Sequence, residues 1–186
     1  MLFPASASLL ANIPSPHFDQ SYCDQNGIDG RCHPSGSITL RPGCPHLTIA
    51  HEIAHWLIHR LMERELTSLN IKPIPEKVDR FTLEKYSNSS TTLRMLRDVY
   101  EKALQTPEII AAHGRDSGSW EDTVSVSAVT RSDEVLANAF AQYVVEEIMP
   151  DDLSHLTDCQ TDALATEGYW HRTSFELLRA LVRRAA

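Results

Sequence analysis

The stretch that decides the fold is Thr48-Ile49-Ala50-His51-Glu52-Ile53-Ala54-His55-Trp56-Leu57-Ile58-His59-Arg60-Leu61. Ala50, Ile53, Ala54, Leu57, Ile58 and Leu61 recur at the three- and four-residue spacing of one helix face, which predicts an amphipathic helix from about residue 48. Pro45 suits its start, and Arg60 and Arg64 lie towards its end. Two histidines four residues apart sit within this segment, and a glutamate directly follows the first.

Working outward, the chain is less regular on the amino-terminal side. Residues 14–36 are rich in Pro, Gly, Asp, Asn and Ser, so residues 1–36 read as a loop-rich segment with at most a few short strands. Ser37-Ile38-Thr39-Leu40 alternates polar and apolar residues and stops before Pro42, which predicts a short strand at a sheet edge. Residues 70–80, with Pro73 and Pro75, interrupt helical periodicity. A second helix is expected from about Thr91 to Leu104 through Leu93, Leu96, Val99 and Tyr100.

Further along, Thr106-Pro107-Glu108 suits the start of a short helix, and Thr123 to Val126 reads as a small strand. Ser132 then reads as a helix cap, followed by Asp133 and Glu134 in the first turn and by Val135, Leu136, Ala139, Phe140 and Tyr143 at helical spacing, with Pro150 as the latest possible end. Thr173 to Arg184 predicts a last helix, whose negative end is suited by Arg183 and Arg184. The fold class expected is α+β: one mainly helical domain over residues 1–186, with a small sheet in the amino-terminal half.

Composition narrows the function. The formal net charge of −8 argues against a nucleic-acid partner, which needs clustered cations on phosphates. No apolar run approaches the ~20 residues that span a bilayer, so no membrane role is expected. The amino terminus lacks the basic start of a secretory signal, and the expected location is cytoplasmic, or exported by a route without a cleaved signal peptide. The four cysteines, at 23, 32, 44 and 159, fit reduced thiols or disulfides. Cys23, Cys32, His33, Cys44 and His46 would make a second metal site only without the short Cys-x-x-Cys spacing that structural zinc favours.

His51-Glu52-Ile53-Ala54-His55 carries the chemistry. Residues four apart on a helix project from one face, so the two imidazoles can meet one Zn2+. Glu52 lies about 100° around the helix from His51, in reach of a water that zinc acidifies towards a pKa of ~7. A catalytic zinc needs a third protein ligand. The metzincin pattern would require glycine at 58 and histidine at 61, and the chain has Ile58 and Leu61. Glu134 is the best third ligand, because small alanines flank it on a second amphipathic helix. Asn138, one turn on, is placed to accept a hydrogen bond from a ligand imidazole. A glutamate in the first turn also suits any helix start, so spacing alone leaves that role open for Glu134. His59 reads as a surface or supporting group.

The His-Glu-x-x-His helix followed by Glu134-Val-Leu-Ala-Asn138-Ala-Phe-Ala141 resembles the gluzincin metallopeptidases of the ImmA/IrrE type, and the likeness covers these two helices. It implies a zincin-like fold with Glu134 as a zinc ligand. Met149-Pro150 is similar to that family's helix ending, several residues further on. The run from Val124 to Glu134 resembles, more loosely, the third-ligand region of lethal-factor-type toxin peptidases. Those carry a tyrosine before the glutamate, where this chain has Ser125, Ser127 and Ala128. An oxyanion donor must then come from elsewhere. His171 is preferred over Tyr169, Tyr143 and His113.

Similarity to zincins also implies that the strand Ser37, Ile38, Thr39 and Leu40 binds extended substrate. The function expected is zinc-dependent hydrolysis of a peptide bond in a protein or peptide substrate, with Glu52 as general base, by a regulatory protease or an effector toxin. The alternatives are a noncatalytic interaction domain that keeps the scaffold, and hydrolysis of a small molecule at the same residues.

Overall fold

The computed structural model describes residues 9–105, 132–148 and 174–186. It is α+β and mainly helical, with one small mixed sheet in the amino-terminal half, as the sequence predicts. The elements are β1 (His17–Phe18), α1 (Gln20–Asn26), β2 (Gly30–Cys32), β3 (Ile38–Leu40), α2 (His46–Ser68), α3 (Arg80–Tyr86), α4 (Thr91–Ala103), α5 (Ser132–Tyr143) with a π-helical turn (Val144–Ile148), and α6 (Phe175–Ala185).

Helix α2 is the spine. It starts directly after Pro45, two residues before the point the periodicity suggests. Leu57, Ile58, Leu61, Met62 and Leu66 are buried along it, each contributing on the order of 2 kcal/mol of apolar burial. Helix α5 packs across it, and Ala137, Ala139 and Ala141 are fully buried there. Alanine lets two helix backbones approach closely, which is how a carboxylate on α5 comes within reach of imidazoles on α2. Leu93, Leu96 and Val99 of α4 and Leu178 and Leu181 of α6 close the same core.

The sheet order is β1-β3-β2, with β1 parallel and β2 antiparallel to β3. Strand β3 is therefore central, and Ile38, Thr39 and Leu40 are all buried. This corrects the expectation that Ser37, Ile38, Thr39 and Leu40 form an edge that binds substrate: both edges of β3 are already paired. The edge facing α2 belongs to β2 instead. Its backbone parity is fixed by the flanking bonds from the amide of Arg41 to the carbonyl of Asp29 and from the amide of His33 to the carbonyl of Ser37. Asp29, Arg31 and His33 thus turn their backbone groups towards β3, and Gly30 and Cys32 turn theirs to the open side.

Two short helices lie where the sequence reads as loop or break. Helix α1 is capped by Asp19, whose side chain accepts from the Tyr22 amide, and is closed by Gly27 at φ 62°. Helix α3 is capped in the same way by Asp79, through the Thr82 amide. Ser132 opens the described part of α5, and its hydroxyl donates to the Val78 carbonyl at 2.9 Å. Arg183 and Arg184 lie in the last turn of α6 as expected. The expected helix near 106–111, the strand near 123–126 and the residues His113, Tyr169 and His171 fall outside the described residues. Among the described residues no helix is long and apolar enough to cross a membrane.

Candidate metal centre

His51 and His55 occupy successive turns of α2, with their rings edge to face at 4.7 Å between centroids. That arrangement aims both Nε2 atoms at one point, 3.0 Å apart. Oε2 of Glu134, from the first turn of α5, completes a triangle at 3.3 Å from Nε2 of His51 and 3.5 Å from Nε2 of His55. Ligand atoms about 2.0–2.2 Å from a tetrahedral ion stand about 3.3–3.6 Å from one another, so the three atoms already match the edges of such a site to within a few tenths of an ångström. His51, His55 and Glu134 form a group that can hold a metal ion. All three side chains are partly exposed, at 17%, 18% and 28%, so solvent or substrate can reach a fourth position.

The electrostatics of the three side chains follow from this convergence. Burial alone would raise the pKa of Glu134, but hydrogen bonds and charge from His51 and His55 outweigh it and hold the carboxyl well below its ordinary range. Burial would likewise lower His51. The hydrogen bond from His51 to Glu134, with the charges of Glu52 and Glu134 and the nearby Asn138 amide, overturns that and raises it. Glu134 therefore stabilises the fold above the ordinary carboxylate range, an effect lost as pH falls through its depressed value. The His51 contribution is present below the ordinary imidazole range and lost as pH rises through its raised value.

Because His51 holds a proton more firmly than a free imidazole, a metal must displace it. Apparent metal affinity is expected to fall on acidification from above the usual imidazole range, by about tenfold per pH unit for each proton released. Competition with a chromophoric chelator across about pH 5 to 8 reads this directly. A flat profile over that interval is incompatible with these ligands.

Asn138 sits where the sequence puts it, one turn beyond Glu134 on α5. Oδ1 of Asn138 and Nδ1 of His51 are both buried without a close hydrogen-bond partner. They are complementary acceptor and donor, and the interaction already favours protonated His51. A hydrogen bond from Nδ1 of His51 to Asn138 would fix the tautomer that leaves Nε2 free for an ion.

Glu52 is turned to the sheet. Its Oε2 accepts from the Cys32 amide on the open side of β2 at 2.6 Å, and the residue is buried. Gly30 makes this approach possible: a Cβ there would stand 2.7 Å from Cγ of Glu52 and 3.0 Å from Leu40. Gly30→Ala is accordingly expected to displace Glu52 and to cost about 1–3 kcal/mol of stability, seen as a lower melting temperature. An unchanged melting temperature would show that the contact is looser than these distances. Sequence reading missed Gly30 and Cys32 because a backbone amide has no side-chain signature; the glycine was the sole trace.

The same floor opens into a cleft of about 470 Å³, a size typical of ligand sites. Gly30 and Cys32 line one wall, and Glu76, Lys77 and Val78 line another. His59 also faces the cleft, with Nε2 at 3.2 Å from the Pro75 carbonyl. Tyr143 is not there: it is buried against Phe175 at 5.4 Å, between α5 and α6. Cys23, Cys32 and Cys44 are free thiols, and among the described residues they join no second metal cluster. Burial, with the Glu52 charge adding to it, pushes the Cys32 thiol up to about 11, so it is a neutral neighbour of the site rather than a competing thiolate.

Comparison with known proteins finds no family model, no curated protein and no solved structure that matches this chain.

Proposed function

We propose that this chain is a zinc-dependent endopeptidase of gluzincin type. The observation that carries the reading is the convergence of two imidazole nitrogens and one carboxylate oxygen within 3.5 Å, with a second carboxylate, Glu52, directly following the first ligand. A zinc ion held by His51, His55 and Glu134 would supply Lewis-acid polarisation of a substrate carbonyl and an acidified water. The rest is the work of the chain. Glu52 is the general base: the Cys32 amide fixes Oε2, which leaves Oε1 to take a proton from the attacking water and return it to the leaving amine.

An extended peptide fits this cleft better than a compact small molecule. The Cys32 amide is taken by Glu52, and the outward-facing backbone groups of β2 that remain lie along one wall, where they can pair with a short stretch of extended substrate. A noncatalytic interaction domain would have no use for a buried carboxylate beside a metal ligand. The testing experiment combines elemental analysis of protein purified without added metal with mass-spectrometric digestion of a peptide library, using wild type and Glu52→Gln. About one zinc per chain in both proteins, with cleavage by the wild type alone, supports the reading. Iron or manganese in place of zinc, or equal cleavage by both, overturns it.

A further inference from the structure

The connector between α2 and α3, residues 69–79, touches both halves of the metal centre. At one end the Pro75 carbonyl meets Nε2 of His59 at 3.2 Å, one turn beyond His55 on α2. A carbonyl only accepts, so His59 carries its proton on Nε2. At the other end the Val78 carbonyl accepts from the Ser132 hydroxyl at 2.9 Å, two residues before Glu134 on α5. Val78 and Ser132 are both buried, so this bond is shielded from water and its loss would leave a carbonyl unsatisfied. Lys77 and Asp133 stand 3.9 Å apart beside it, but Lys77 is largely exposed and that pair adds little.

We infer that this connector is a positioning element that sets the gap between the imidazoles of α2 and the carboxylate of α5, with Ser132 and His59 as its positioning residues. The inference rests on the metal-binding reading above. The Ser132 hydroxyl reaches outside its own helix to a buried carbonyl of the connector. With both ends held, Glu134 is kept at ligand distance from the two Nε2 atoms. Outer groups that orient metal ligands typically change affinity by about 10- to 100-fold.

The test is the zinc dissociation constant of the full chain, measured by chelator competition at fixed pH, together with the melting temperature of each metal-free protein. Ser132→Ala is expected to weaken zinc binding about 10- to 100-fold, with Ser132→Thr, which keeps the hydroxyl, restoring most of it. A merely structural hydroxyl would lower the melting temperature and leave the zinc constant of the folded protein unchanged, and that result overturns the inference. Should Ser132→Ala not fold, His59→Ala tests the other end: weaker zinc binding supports the inference, and unchanged binding sinks it. Wild-type protein that takes up no zinc at all removes the metal reading itself, and this inference with it.

Discussion

Glu134→Ala should lose zinc affinity by a hundredfold or more, beyond the 10- to 100-fold expected of groups that only orient ligands. The carboxylate is one of three converging donors, at 3.3 and 3.5 Å from the imidazole nitrogens. It also brings the negative charge that offsets a dication in a half-buried site. Without it, only the two imidazoles remain, and most of what raises His51 goes with it. Elemental analysis after dialysis should find about one ion per wild-type chain and far less in the variant. Full retention of zinc by the variant would remove Glu134 from the ligand set and return that role to an unidentified residue.

The second large effect belongs to Glu52. Gln is close to isosteric, and its amide oxygen can still accept from the Cys32 amide, so Glu52→Gln is expected to fold and to keep its zinc. It cannot take a proton. For the endopeptidase proposed above, cleavage of library peptides should therefore fall by about 10²- to 10⁴-fold, the usual worth of a positioned general base. Retained activity at the wild-type rate would mean that Glu52 is held by β2 for structural reasons alone. The Gly30→Ala protein offers a separate view of the same group, because it disturbs Glu52 from the strand side without altering its chemistry.

How much was legible from the sequence differs by element, for physical reasons. Helices α2, α4, α5 and α6 announce themselves because each buries a long apolar stripe at helical spacing. Helices α1 and α3 have seven residues each, too few for a periodic signal. Their marks are the caps, Asp19 with Gly27 and Asp79 alone, and the surrounding turn-forming residues conceal them. The sheet was misread at its centre. Pro42 suggested an edge for β3, yet its partners His17–Phe18 and Gly30–Cys32 are too short to alternate visibly.

The site divides in the same way. The pair His51 and His55 follows from a local rule of helix geometry, and Glu52 from its place between them. The approach of Glu134 depends on how α5 crosses α2, which no local pattern specifies; the buried alanines were the available hint. Asn138 lands one turn from Glu134 for purely helical reasons. The preferred oxyanion donor, His171, lies outside the described residues and remains an expectation of the sequence alone.

The unequal spacing of the three donors along the chain has a consequence for folding. Two of them are neighbours in sequence and the third arrives from a distant helix. An unfolded chain can offer an ion only the local pair, whereas the folded one offers all three. Free zinc would then act as a reversible clasp across a long loop, favouring the folded ensemble by mass action, by about 1.4 kcal/mol for every tenfold excess over its dissociation constant. The supply of the metal, and not sequence alone, would help set how much of this chain is folded at any moment.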